Sequence, residues 1–176
     1  MRKAVLFIAV SLDGYIADQN GKVDWLNGQE PREESEDSYS QFIQTVDTVV
    51  MGGRTYRQVA EELAPGQWPY QELASYVVTH REYPPADNIH FTSQNPCELV
   101  EELKKQPGKD IWVCGGAEIT RQLMEKELID EYDLSVIPIL LGSGIRLFGN
   151  GLPPMPLRLT HMEQAGGIAR LIYIRW

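Results

Sequence analysis

Apolar residues along this chain gather into short runs separated by polar, glycine-rich and proline-rich breaks. Runs of strand character recur at residues 3–10, 46–51, 75–79, 110–114 and 133–141. Their length and continuity suit strands buried on both faces. Helical spacing alternates with most of them, at about 36–45, 55–64, 96–105 and 116–128. Ile119 and Leu123 lie four apart, as do Met124 and Leu128, which puts two apolar pairs along one helical stripe. Thr55-Tyr56-Arg57-Gln58 and Asn95-Pro96-Cys97-Glu98 both resemble capping boxes, with Pro96 where a starting helix tolerates it best. Ala64-Pro65-Gly66 and Gln106-Pro107-Gly108 then stop these helices. Residues 157–164 and 168–175 flank Ala165-Gly166-Gly167 and read as a closing antiparallel hairpin. The pattern predicts one α/β domain over residues 1–176: a mostly parallel sheet, helices on both faces and an antiparallel edge.

Composition narrows the choice of function. The 176 residues are 43% hydrophobic and 23% charged, which is ordinary for a globular protein. No apolar run reaches the roughly 20 residues of a membrane span. The opening run follows Met1-Arg2-Lys3 as a signal peptide would, but it is too short, lacks a small-residue cleavage site and passes straight into patterned sequence. It is expected to be a buried strand. Cys97 and Cys114 show no metal spacing and sit beside apolar segments, so reduced thiols in a cytoplasmic protein are expected. A net charge of −9 argues against nucleic acid and anionic membranes as partners. Any phosphate-bearing ligand must therefore find a local positive site.

Ile111-Trp112-Val113-Cys114-Gly115-Gly116-Ala117 carries the most chemistry: a strand runs into a glycine pair and then directly into a helix. Either this is a tight turn with no ligand, or the exposed N–H groups at the helix start seat a phosphate. In an open parallel sheet ligands gather beyond the carboxyl ends of the strands. Met51-Gly52-Gly53-Arg54-Thr55 follows one run and Thr79-His80-Arg81 another, so three strand ends carry N–H groups, hydroxyls or cations. The phosphate-loop, zinc-protease, Cys-x-x-Cys and serine-hydrolase motifs are absent, and Leu147 stands where a Gly-x-Gly-x-x-Gly beginning at Gly142 would need its third glycine.

Several stretches, in this order, resemble the dihydrofolate reductase-like superfamily. They are 9–17 (Ala-Val-Ser-Leu-Asp-Gly-Tyr-Ile-Ala), Asp24-Trp25-Leu26, 49–56, 77–81, 113–117 and 138–148. The likeness is closest to the reductase domain of bacterial riboflavin biosynthesis and its stand-alone relatives. It implies an eight-stranded mixed sheet and NADPH as hydride donor. It also implies that Gly115, Gly116 and Ala117 lie under the pyrophosphate with Glu118 among the cofactor-binding residues, that Gly53, Arg54 and Thr55 hold adenosine-side phosphates, and that Thr79, His80 and Arg81 lie near the adenine ribose and its 2′-phosphate. Ala9, Ile16 and Ala17 would border the nicotinamide.

The substrate side departs from folate enzymes. The proline that usually follows a Trp-x-Leu step is missing from Asp24-Trp25-Leu26-Asn27-Gly28. Glu36 or Asp37 aligns with the carboxylate that assists protonation, and Asp13, Asp24 or water stand behind them. The zinc-binding His and Cys motifs of an upstream deaminase domain are not in the chain. The expected activity is NADPH-dependent reduction of a C=N or C=O bond in a small pyrimidine- or pterin-type heterocycle, as in a dihydrofolate or 5-amino-6-(5-phosphoribosylamino)uracil reductase. The alternative is a nucleotide-binding protein that keeps the cleft without turnover. Relatives of this kind commonly pair, and the apolar run 139–145 is either a homodimer contact or an interior strand.

Overall fold

The structure of the protein, a computed structural model, describes residues 1–26 and 38–176. Ten strands are present among them: β1 (Ala4–Ser11), β2 (Tyr15–Ala17), β3 (Val46–Gly52), β4 (Ala74–Val78), β5 (Ile89–Thr92), β6 (Asp110–Gly115), β7 (Glu131–Ile137), β8 (Ile145–Arg146), β9 (Leu157–Ala165) and β10 (Ile168–Arg175). The helices are α1 (Ser38–Ile43), α2 (Gly53–Arg57), α3 (Pro96–Lys105) and α4 (Ala117–Glu125), with a 3₁₀ turn at Asp24–Leu26 and a π turn at Gln58–Leu63 continuing α2.

Eight strands form one sheet in the order β5-β4-β3-β6-β1-β7-β10-β9. Neighbours are parallel from β5 through β7, and antiparallel where β10 meets β7 and β9. Side chains alternate across the pleat as strand geometry requires. Ala4, Leu6 and Val10 of β1 pack with Leu99, Val100 and Leu103 of α3 and with Ile119 and Leu123 of α4. Val5 points the other way, into a cluster with Phe42 of α1, Met51, Leu73 and Trp112. Phe7 and Phe42 stack there with centroids 4.1 Å apart, and Trp112 meets Phe42 edge-on at 5.7 Å. Both faces of the central strands are thus covered, as a parallel sheet requires.

Local sequence explains most boundaries. The Asn95 side chain accepts from the N–H groups of Cys97 (2.8 Å) and Glu98 (3.4 Å), so this cap forms as expected. The other expected cap does not. The second helix begins at Gly53 with Gly52 as its uncapped N-cap residue, which puts Thr55 inside the helix. β7 ends at Ile137 instead of running to 141, because Pro138 has no N–H for the ladder. Beyond it Leu140 is 70% exposed, so 139–145 is not an interior strand. Two small features escape the hydrophobic pattern: β5 at the far edge, and the separate β2–β8 pair. Gly144 makes that pair possible, since a Cβ there would overlap the Ala17 carbonyl oxygen and its φ is +141°.

Candidate functional site

The carboxyl ends of β1, β3, β4 and β6 converge on a cleft of about 1160 Å³. Both Gly-Gly turns face it. A Cβ built on Gly116 would lie 3.3 Å from Thr55 Oγ1, and one on Gly53 would lie 2.8 Å from Thr79 Oγ1. The glycines therefore let three strand ends approach one another. α4 starts at Ala117 with Gly116 as its N-cap and no side-chain cap, so its first N–H groups are left for a ligand or water. Glu118 in that first turn accepts from Arg121 at 3.0 Å and from Gln122 at 3.1 Å. The Arg121 hydrogen bond is the main reason its carboxyl is held below the usual range, so Glu118 remains an anion drawn along the helix.

Charge on the opposite wall is arranged differently. Arg2, Arg121, Arg170 and Arg175 each pair with carboxylates. Arg54 and Arg57, both on the cleft wall, pair with no carboxylate among the described residues. Unpaired guanidinium groups three residues apart on one short helix suit an anion. Gln58, the residue after Arg57, spans to the other side, its Nε2 donating to the Gly21 carbonyl at 2.7 Å.

The structure brings together Ala9, Ile16, Ala17, Gly53, Arg54, Thr55, Thr79, His80, Gly116, Ala117 and Glu118 on this wall. Two expected residues are not on it. Gly115 is buried behind the turn, where a Cβ would meet Ile8 Cδ1 at 3.6 Å, and its φ of +115° shows that its role is in the backbone. Arg81 is exposed; its backbone N–H donates to Thr79 Oγ1 at 3.1 Å. Glu36 and Asp37 lie outside the described residues. Asp13 is not on the wall either. It accepts from Ser11 Oγ (2.7 Å), Gly142 N (2.7 Å) and Leu141 N (3.1 Å), which ties the loop after β7 to the end of β1. Those hydrogen bonds, Ser11's foremost, hold its carboxyl at about 2.

Sequence reasoning missed Arg57, Gln58, Tyr70 and Cys114 on the wall. Arg57 could have been found from its i+3 relation to Arg54. Tyr70 had no comparable sequence cue, because it sits in the loop between the π turn and β4.

Comparison with known proteins gives the family and the fold. The family described as the RibD C-terminal domain matches residues 2–169. YwjB of Bacillus subtilis, an uncharacterized protein, is 42% identical over 175 residues, covering 99% of this chain and 98% of its own. A crystal structure from Shewanella sp. PV-4, provisionally named a riboflavin biosynthesis protein, superposes with a TM-score of 0.86 at 28% identity over 99% of each chain. A Thermotoga maritima protein is described as a diaminohydroxyphosphoribosylaminopyrimidine deaminase/5-amino-6-(5-phosphoribosylamino)uracil reductase. It shares the fold with a TM-score of 0.72 at 14% identity, over 99% of this chain and 57% of its own.

Proposed function

Because the chain belongs to the RibD C-terminal domain family, we propose that it is an NADPH-dependent reductase of a small pyrimidine- or pterin-type heterocycle. The observation that carries this reading is the charge arrangement of the cleft: among the described residues Arg54 and Arg57 pair with no carboxylate, and they line the same cleft as the uncapped start of α4. On a protein of net charge −9, such a pairing of free cations with free N–H groups suits a ligand with several phosphates. The glycine approaches at Gly53 and Gly116 support the same fit, since side chains there would occupy the space a pyrophosphate needs.

When bound, NADPH supplies the hydride for reduction of a C=N or C=O bond, and a proton from water or a carboxylate completes it. The chain's own residues bind and orient. Gly116 and Ala117 offer backbone N–H groups. Arg54 and Arg57 neutralise phosphate charge, with Thr55, Thr79 and His80 beside them. Ala9, Ile16 and Ala17 provide a carbon surface for a flat ring and exclude water from one side of it. Gln58, bonded to Gly21, holds the loop after β2 against this surface. Positioning of this kind is where binding energy contributes most to a hydride transfer.

The test has two steps. NADPH and NADH are titrated against the purified protein, and NADPH oxidation is then followed with a panel of pyrimidines and pterins. Tighter binding of NADPH together with oxidation dependent on one panel member supports the reading. Binding without oxidation of any member would favour a nucleotide-binding protein that has no turnover, and no binding would reject both.

A further inference from the structure

A second cavity, of about 150 Å³, lies where the end of α4, the start of β7 and the chain entering β9 meet. It shares no lining residue with the cleft. Met124 stands seven residues beyond Ala117, so about 10 Å of helix separates it from the turn that faces the cleft. Met124 and Tyr132, 3% and 2% exposed, form the floor of this cavity; Leu152, Met155 and Leu157 are its half-buried walls, and Phe148, 43% exposed, stands at the mouth. Pro153, Pro154 and Pro156 offer no N–H for a ladder, so the chain passes over the cavity unpaired and β9 begins only at Leu157.

One polar group faces this carbon surface. The Tyr132 hydroxyl donates to Met155 Sδ at 3.5 Å. A thioether sulfur is a weak acceptor, and a buried tyrosine hydroxyl ordinarily has a stronger one. Burial pushes the Tyr132 hydroxyl up to about 12, so it stays protonated and available as a donor at neutral pH.

We propose that this cavity is a binding site for a neutral single-ring phenol, whatever the cleft binds. The Tyr132 hydroxyl donates to the ligand oxygen, and the ligand hydroxyl donates in turn to Met155 Sδ, which that exchange leaves free. Size sets the ring count, since an apolar cavity of about 150 Å³ accommodates a benzene-sized guest. The two methionines favour an aromatic guest, because their polarisable sulfur makes favourable contacts with a ring, and their flexible side chains adapt to its outline. No lining residue is charged, so a carboxylate of the same shape would enter without a counter-ion. A carbon-lined cavity with one or two placed polar groups is the usual form of a small-molecule site.

The experiment titrates phenol, and separately benzene, into protein labelled with [methyl-¹³C]methionine. The chain has five methionines, and two of them line this cavity. Phenol should move the Met124 and Met155 methyl resonances and leave those of Met51 and Met162 in place. Tyr132→Phe should weaken phenol at least fivefold while benzene stays within twofold of its original affinity. Leu152→Trp, which fills the cavity from its wall, should abolish the response to both probes; it also serves if Tyr132→Phe folds poorly. Unmoved Met124 and Met155 methyls in the unmodified protein would reduce the cavity to a packing gap and overturn the proposal. Phenol affinity unchanged in folded Tyr132→Phe, or in Leu152→Trp, would overturn it as well.

Discussion

A branched side chain at Gly116 would project into the gap that separates α4 from Thr55, where even a Cβ stands 3.3 Å from Oγ1. Gly116→Val is expected to abolish NADPH binding while far-ultraviolet circular dichroism stays native. Normal binding by a folded variant would reduce the glycine pair to a turn. On the facing wall, Arg54→Ala with Arg57→Ala should narrow the preference for NADPH over NADH. The loss should be roughly 1–3 kcal/mol, the scale of hydrogen bonds to charged groups, and smaller at high salt because Arg54 is exposed. Arg81→Ala, off the wall, is the control and should change neither affinity. At this scale the sequence was informative wherever the backbone itself does the work. A glycine pair where a strand run passes straight into a helical pattern is visible in the sequence, so Gly53 and Gly116 stood out as candidates. Tyr70 and Cys114 did not, because a loop aromatic and an apolar-flanked cysteine carry no local pattern that marks them as part of a cleft wall.

Among the elements, the segment from β1 to β2 shows how a short motif can organise parts far away in the chain. Asp13 gathers Ser11, Leu141 and Gly142, the Tyr15 hydroxyl donates to the Gly142 carbonyl at 3.3 Å, and Leu147 N–H donates to the Gly14 carbonyl at 3.0 Å. Because the folded carboxyl titrates at about 2 against an ordinary 3.8, this tie is at full strength above the ordinary value. It is lost as the pH falls through about 2. Hydrogen exchange of the Leu141 and Gly142 amides should therefore accelerate across that interval, and in Asp13→Asn it should be fast already at neutral pH. Long, two-sided apolar runs made β1, β3 and β6 legible in the sequence, and the Asn95 cap with helical spacing did the same for α3. β5 was not, since Ile89-His90-Phe91-Thr92 mixes partly buried and exposed positions at a sheet edge. β8 has two residues and exists because Gly144 lets it lie against β2, a contact no local pattern encodes.

For the whole molecule, the apolar run that ends β7 has a consequence for assembly. Leu140 is 70% exposed and Leu12 is 65% exposed, and their segments are joined by the Leu12 N–H to Ile139 carbonyl bond at 2.9 Å. Two large exposed leucines on adjoining loops suit a self-complementary two-fold contact. Light scattering at micromolar concentration should give twice the 20.0 kDa chain mass, and Leu140→Glu should return the single mass. A single mass in the unmodified protein would reject the dimer.

The position of β6 also matters while the chain is being synthesised. In the finished sheet it lies between β3 and β1, yet it leaves the ribosome after both of them. Until residues 110–115 emerge, β1 has no partner on that edge. Its other edge stays open until 131–137 follow. A nascent chain of about a hundred residues therefore displays an apolar strand with two bare edges, the form of exposure that invites pairing with other chains. Keeping β1 out of such pairings until β6 arrives is a task for the translation rate and the chaperones that meet the chain, and the pocket can exist only after that strand is in place.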